Sequence, residues 1–89
     1  MDYEKLVDFI GENAQIDKTV EEILELAEVI MKVKTKDIID LQHIMQEIAH
    51  VYMVLRSLKI IFKIRDKDIA KEIKHKENLL MAKYPGVLE

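Results

Sequence analysis

An all-α fold is predicted for this 89-residue chain, and three observations predict it. Apolar residues recur at three- and four-residue spacing along most of its length. No stretch alternates apolar and polar residues over a useful strand length. Only two glycines and one proline interrupt the sequence. A composition of 49% hydrophobic and 35% charged residues belongs to a folded, helix-rich chain rather than a disordered one. The length allows one domain with a modest core.

Four helices are expected, at about 2–10, 17–33, 36–64 and 67–83. The first carries Leu6, Phe9 and Ile10 at helical spacing and is broken by Gly11-Glu12-Asn13. The second is apolar on two sides. Val20, Ile23, Leu24, Ala27, Ile30 and Met31 form one face, and Leu26, Val29 and Val33 another. A helix of this kind is usually sandwiched between partners. Thr35 or Asp37 offers a cap for the third helix, which has no internal Gly or Pro. Asp66 or Asp68 offers a cap for the fourth, whose inner stripe is Ile69, Ile73, Leu80 and Tyr84. Pro85-Gly86 stops it. The methionines at 31, 45, 53 and 81 read as core filler.

The third helix carries the most informative anomaly. At roughly 100° per residue, Ile44, Ile48, Val51, Val54, Leu55, Leu58 and Phe62 share a broad apolar face, and Glu47 falls inside it. His43 and His50 flank that position. A carboxylate in a buried stripe is costly unless it is paired or holds a cation. The second helix contributes Glu21, Glu22, Glu25 and Glu28, with Glu22 pointing toward the side of Leu26 and Val29. Carboxylates converging from two helices are hard oxygen ligands suited to Mg²⁺ or Mn²⁺. The structural alternatives are a Thr19–Glu22 capping box, a solvated glutamate face, and pairing of Glu47 with a lysine or arginine.

The segments Ala14-Gln15-Ile16-Asp17 with Glu21-Glu22-Ile23-Leu24-Glu25-Leu26, followed by Gln46-Glu47-Ile48-Ala49-His50-Val51 and Leu55, carry a family likeness. Over roughly residues 12–85 the chain resembles the MazG-type all-α nucleoside triphosphate pyrophosphohydrolases, in particular the compact phage and bacterial members. Their pattern is E-E-x-x-E on one helix and E-x-x-D on the next. The resemblance implies a four-helix MazG-like bundle completed by oligomerisation, as a homodimer or homotetramer. It implies hydrolysis of an NTP or dNTP to the monophosphate and pyrophosphate, with Mg²⁺ as cofactor. By motif match, Glu22, Glu25 and Glu47 would be metal ligands, and Glu21 a neighbouring ligand or the group orienting water. Lys76 would reach phosphate and Tyr84 the nucleotide. Two positions depart from the pattern: His50 stands where the family has aspartate, and Leu80 where it has asparagine. Histidine favours Mn²⁺ over Mg²⁺ and removes one negative charge. A degenerate, nucleotide-holding relative is therefore the alternative function.

A second metal pattern is present in Glu47-x-x-His50 and Glu72-x-x-His75, the motif pair of di-iron and di-manganese bundles. Lys71, Lys74 and Lys76 around the latter oppose cation binding. A helical adaptor without a site is the remaining alternative. The net charge of −3, with acids and bases interleaved, excludes a basic field for nucleic acid. There is no cysteine for a disulfide or a thiolate zinc site. The acidic start lacks a signal-type apolar segment, and the uncharged run 48–55 is too short to span a bilayer. A cytoplasmic protein without a membrane or nucleic-acid partner is expected.

Overall fold

The computed structural model describes all residues 1–89. It is wholly helical, with α1 (Tyr3–Ile10), α2 (Glu12–Lys36), α3 (Leu41–Ile61) and α4 (Asp66–Lys83). The first break is shorter than expected, and the two that follow are longer, at residues 37–40 and 62–65 in place of 34–35 and 65–66. A single residue, Gly11, separates α1 from α2, and its φ of 96° is a conformation open to glycine at little cost. The second helix therefore begins five residues before the expected position, at Glu12, and runs three residues beyond it, to Lys36. Asp37, in the left-handed region, ends it. The third helix starts later, at Leu41. Its cap is neither Thr35 nor Asp37 but Asp40, whose carboxylate accepts from the His43 N–H at 3.1 Å. Thr35 instead donates to the Met31 carbonyl one turn back. Asp2 caps α1 through the Lys5 N–H.

Helices α2 and α3 pack against each other as a hairpin, and α1 lies across both. The inner stripe of α2 is Gln15, Thr19, Glu22 and Val29, with Leu26 and Val33 half-buried between and after them. That of α3 is Glu47, Val54 and Ser57, flanked by Ile44, Val51, Leu58 and Ile61. Val7 is the buried residue of α1, whereas Phe9 points outward at 91% exposure. Only Val7, Val29 and Val54 are fully buried apolar residues, against five buried polar ones. So polar a centre is uncommon for so small a domain.

The remaining apolar residues face outward. On α2 the first of the two predicted faces, Val20 through Met31, is exposed. On α3 Met45, Ile48, Tyr52 and Leu55 form an exposed stripe at coiled-coil spacing. Met31, Met45 and Met53 are thus surface residues rather than core filler. Helix α4 packs alongside none of the other three helices and buries no residue. Its expected inner stripe, Ile69, Ile73, Leu80 and Tyr84, is open. An ion pair from Lys59 to Asp66 and a bidentate contact from Arg65 to Asp68 fix the start of α4. One chain is therefore a three-helix unit with a projecting fourth helix, not a closed four-helix bundle. Its radius of gyration is 16.5 Å, where a compact chain of this length has about 12 Å. No helix is long and apolar enough to cross a membrane.

Candidate metal centre

The polar centre of the hairpin is where α2 and α3 bring their anomalous residues together. Because α2 begins at Glu12, Thr19 lies inside it and donates to the Gln15 carbonyl at 2.9 Å. The capping-box reading of Thr19 and Glu22 is thereby excluded. Glu22 is turned inward and only 6% exposed, and Glu47 opposite it is equally buried. His50, one turn along α3 from Glu47, reaches over both carboxylates. Its Nδ1 lies 3.2 Å from Glu22 Oε2 and 3.8 Å from Glu47 Oε2.

One ligand atom from each of Glu22, Glu47 and His50 can be chosen so that all lie within 4.8 Å of one another. These three residues form a group able to hold a metal ion. The state of the oxygens supports that fit. Glu22 Oε2 and Glu47 Oε2 are both buried with no hydrogen-bond partner in the protein, a condition that costs free energy unless a cation or donor meets them. His43 approaches Glu47 Oε1 at 3.5 Å from the other side, so the partners of Glu47 are histidines, not the expected lysine or arginine.

No family model, no protein of known function and no solved structure matches this chain. The chemistry of the site is carried by its own geometry.

That geometry sorts the remaining candidates. Glu25, an expected ligand, lies outside the three-residue group. Burial pushes its carboxyl above the ordinary carboxylate value, and the negative charges of Glu22 and Glu47 push it further the same way. It is therefore close enough to sense the cluster without sharing its atoms. Glu21 is mostly exposed and pairs with Lys18 at 3.6 Å. Lys76 and Tyr84 are carried on α4, which does not pack on the hairpin. Within one chain, neither is brought to the acids. Glu72 and His75 are exposed on the same helix, so the two E-x-x-H motifs do not assemble into a di-iron site in the chain.

Lys18 was not singled out from the sequence. Its Nζ sits 3.1 Å from Glu22 Oε1, and the Lys-x-x-x-Glu spacing was the available signal. The consequence is visible in Glu22. Burial alone pushes its carboxyl up, but the hydrogen bond and charge of Lys18, with the His50 imidazole, outweigh burial and hold it below the ordinary value. Lys18 is raised in turn, first by that hydrogen bond. Gln15 and Ser57 were also not singled out as buried residues, since a glutamine and a serine on helices give no spacing signal.

Proposed function

We propose that this chain is a metal-dependent nucleoside triphosphate pyrophosphohydrolase that cleaves an NTP or dNTP to the monophosphate and pyrophosphate. The observation that carries the proposal is the pair of buried carboxylate oxygens of Glu22 and Glu47 that accept no hydrogen bond and lie beside His50. Glu22, Glu47 and His50 would hold Mg²⁺, or Mn²⁺ by preference for the imidazole, with Glu25 beside them. A bound divalent cation supplies charge neutralisation at phosphate oxygens and a more acidic water. Glu25, held beside the cluster, would be the base that takes a proton from water. Glu21, at the solvent edge, would orient that water. Lys18 gives the site a positive group to set against a phosphate once a cation takes over Glu22.

Oligomerisation belongs to the same proposal. The chain exposes 7318 Å², whereas a compact monomer of 10.5 kDa exposes about 5,400 Å². The excess, about 1,900 Å² per chain, exceeds the roughly 800 Å² each partner contributes to an ordinary interface and reaches the obligate-dimer class. A second copy on the exposed stripes of α2 and α3 would complete the bundle. It would also offer a surface for α4, with Lys76 and Tyr84, to meet.

A second reading, a nucleotide-holding protein that does not cleave, is favoured by one observation. A histidine at position 50 in place of a fourth acid, and Lys18 paired with Glu22, leave the centre with less negative charge than four acids would give. A turnover assay across the NTPs and dNTPs, with Mg²⁺ and Mn²⁺ in parallel and products resolved by chromatography, separates the two. Equal release of monophosphate and pyrophosphate, absent in Glu47→Gln, is the expected result. Binding without product for every nucleotide and metal would establish the holding protein instead.

A further inference from the structure

A cleft of about 580 Å³ lies between the start of α1, the last turns of α3 and the turn into α4. It is separate from the acid cluster. Arg56, in its wall, follows Glu47 by nine residues on the same helix, which is roughly 13 Å at the α-helical rise. The lining holds four cations, Arg56, Lys59, Lys63 and Arg65, against two carboxylates, Glu4 and Asp66. Two of the cations are engaged by acids, Lys59 by Asp66 and Arg65 by Asp68. Lys59, and more weakly Arg56, hold the Asp66 carboxyl below its ordinary value.

Arg56 and Lys63 form no ion pair. The Arg56 guanidinium instead lies over the Tyr3 ring of α1, 5.4 Å from its centroid, a stack that orients its N–H donors and leaves them free. Lys63 stands in the left-handed region, with a φ of 55°, at the position after α3 where glycine is the usual residue. Its N–H and that of Ile64 donate to the Ile60 and Lys59 carbonyls at 3.2 and 2.9 Å, which fixes the turn. Helix electrostatics explains only part of this charge. Lys59 and Lys63 suit the negative end of α3. Arg56 lies before the last turn of that helix, and Arg65 sits at the positive end of α4, where a cation is unfavourable.

We propose that this cleft is a second, metal-independent binding site that takes a small, multiply charged phosphate anion. Arg56 supplies a planar fork able to meet two oxygens side by side, and Lys63 adds a compact point charge. A single carboxylate would satisfy one of the two free cations, so the multiply charged anion is the better match. The volume falls within the roughly 300–1,000 Å³ of small-ligand sites, which leaves room for more than one phosphate group. Glu4, itself in no ion pair, opposes the anion and limits its affinity.

The test is a titration of inorganic pyrophosphate into the protein in EDTA at constant ionic strength, followed through backbone amide and arginine side-chain resonances. Without a cation, Glu22 and Glu47 repel pyrophosphate, so binding read under these conditions is independent of the metal centre. Saturable shifts at Arg56, Lys63 and Ile64 are expected, with an affinity roughly tenfold or more above that for acetate. Lys63→Gly removes the charge at a backbone position that glycine favours. It should keep the fold and weaken pyrophosphate binding roughly fivefold or more. Arg56→Gln should do the same, and Glu4→Gln should tighten binding. No saturation, or acetate binding as well as pyrophosphate, would overturn the site. Full affinity in both Lys63→Gly and Arg56→Gln, or shifts spread equally over the lysines of α4, would also overturn it.

Discussion

Glu47→Gln should stabilise the metal-free protein and abolish its response to divalent cations. Glu47 is 6% exposed, its Oε2 has no hydrogen-bond partner, and the side chains nearest its carboxylate are two imidazoles that are each about half exposed. Solvent screening of those imidazoles leaves the pairing weak. Removing a poorly compensated buried charge from such a position is worth about 1–2 kcal/mol. For a domain of this size that raises the melting temperature by roughly 5–15 °C. The wild type should instead gain about 2.7 kcal/mol from a cation at a hundredfold excess over its Kd, and so overtake the variant. The assay is thermal unfolding of both proteins with EDTA and with Mn²⁺, at one protomer concentration because an oligomer's stability depends on it. A Glu47→Gln protein that is less stable than wild type in EDTA would refute the reasoning. So would one that gains as much from Mn²⁺ as the wild type does.

Further outcomes follow from the same residues. Lys18→Met should tighten Mn²⁺ binding several-fold in calorimetry, since it removes a cation from Glu22 Oε1. The same variant should let burial dominate and move the Glu22 carboxyl upward. Glu22 in the wild type is held below its unfolded value. Its contribution to stability is therefore present above the ordinary carboxylate range and lost as pH falls through the depressed value. Acid unfolding of Lys18→Met should start at higher pH. Glu25 has the opposite sign, because its folded value is raised. It favours folding at low pH and loses that contribution as pH rises through the raised value. Saturating Mg²⁺ should return the Glu25 carboxyl resonance toward ordinary titration, and an unchanged titration would place the cation elsewhere. His50→Asp should shift preference from Mn²⁺ toward Mg²⁺ in competition titrations. Leu24→Glu with Tyr52→Glu alters residues that are 62% and 67% exposed. Within one chain such changes are nearly neutral. In sedimentation, the pair should convert the proposed oligomer to monomer.

Much of the centre was legible because cost is legible. A glutamate inside an apolar stripe marks itself, and Glu47 did so. Glu22 was found through its alignment with Leu26 and Val29, and His50 by its place one turn past Glu47. The start of α2 was misread because Glu12-Asn13 looks like a continuation of the break at Gly11. A glycine with positive φ needs no second residue to turn the chain, and the helix resumes at once. That one displacement moved Thr19 from a cap to the interior and hid the inward Gln15. The two apolar sides of α2 were correctly read, but spacing cannot say which side faces the partner helix in the same chain. The inner side turned out to be the more polar one. Helix α4 shows the same limit: an amphipathic pattern states that a helix has a partner, not that the partner is in the same chain.

The most direct test of the metal centre is pulsed electron paramagnetic resonance of Mn²⁺ bound to the protein, with and without ¹⁵N-labelled histidine. An imidazole nitrogen coupled to the manganese is predicted in the wild type. It should disappear in His50→Asp while manganese stays bound, and binding itself should be lost in Glu47→Gln. Manganese that binds with no nitrogen coupling, or equally well after Glu47→Gln, would contradict a site built from Glu22, Glu47 and His50.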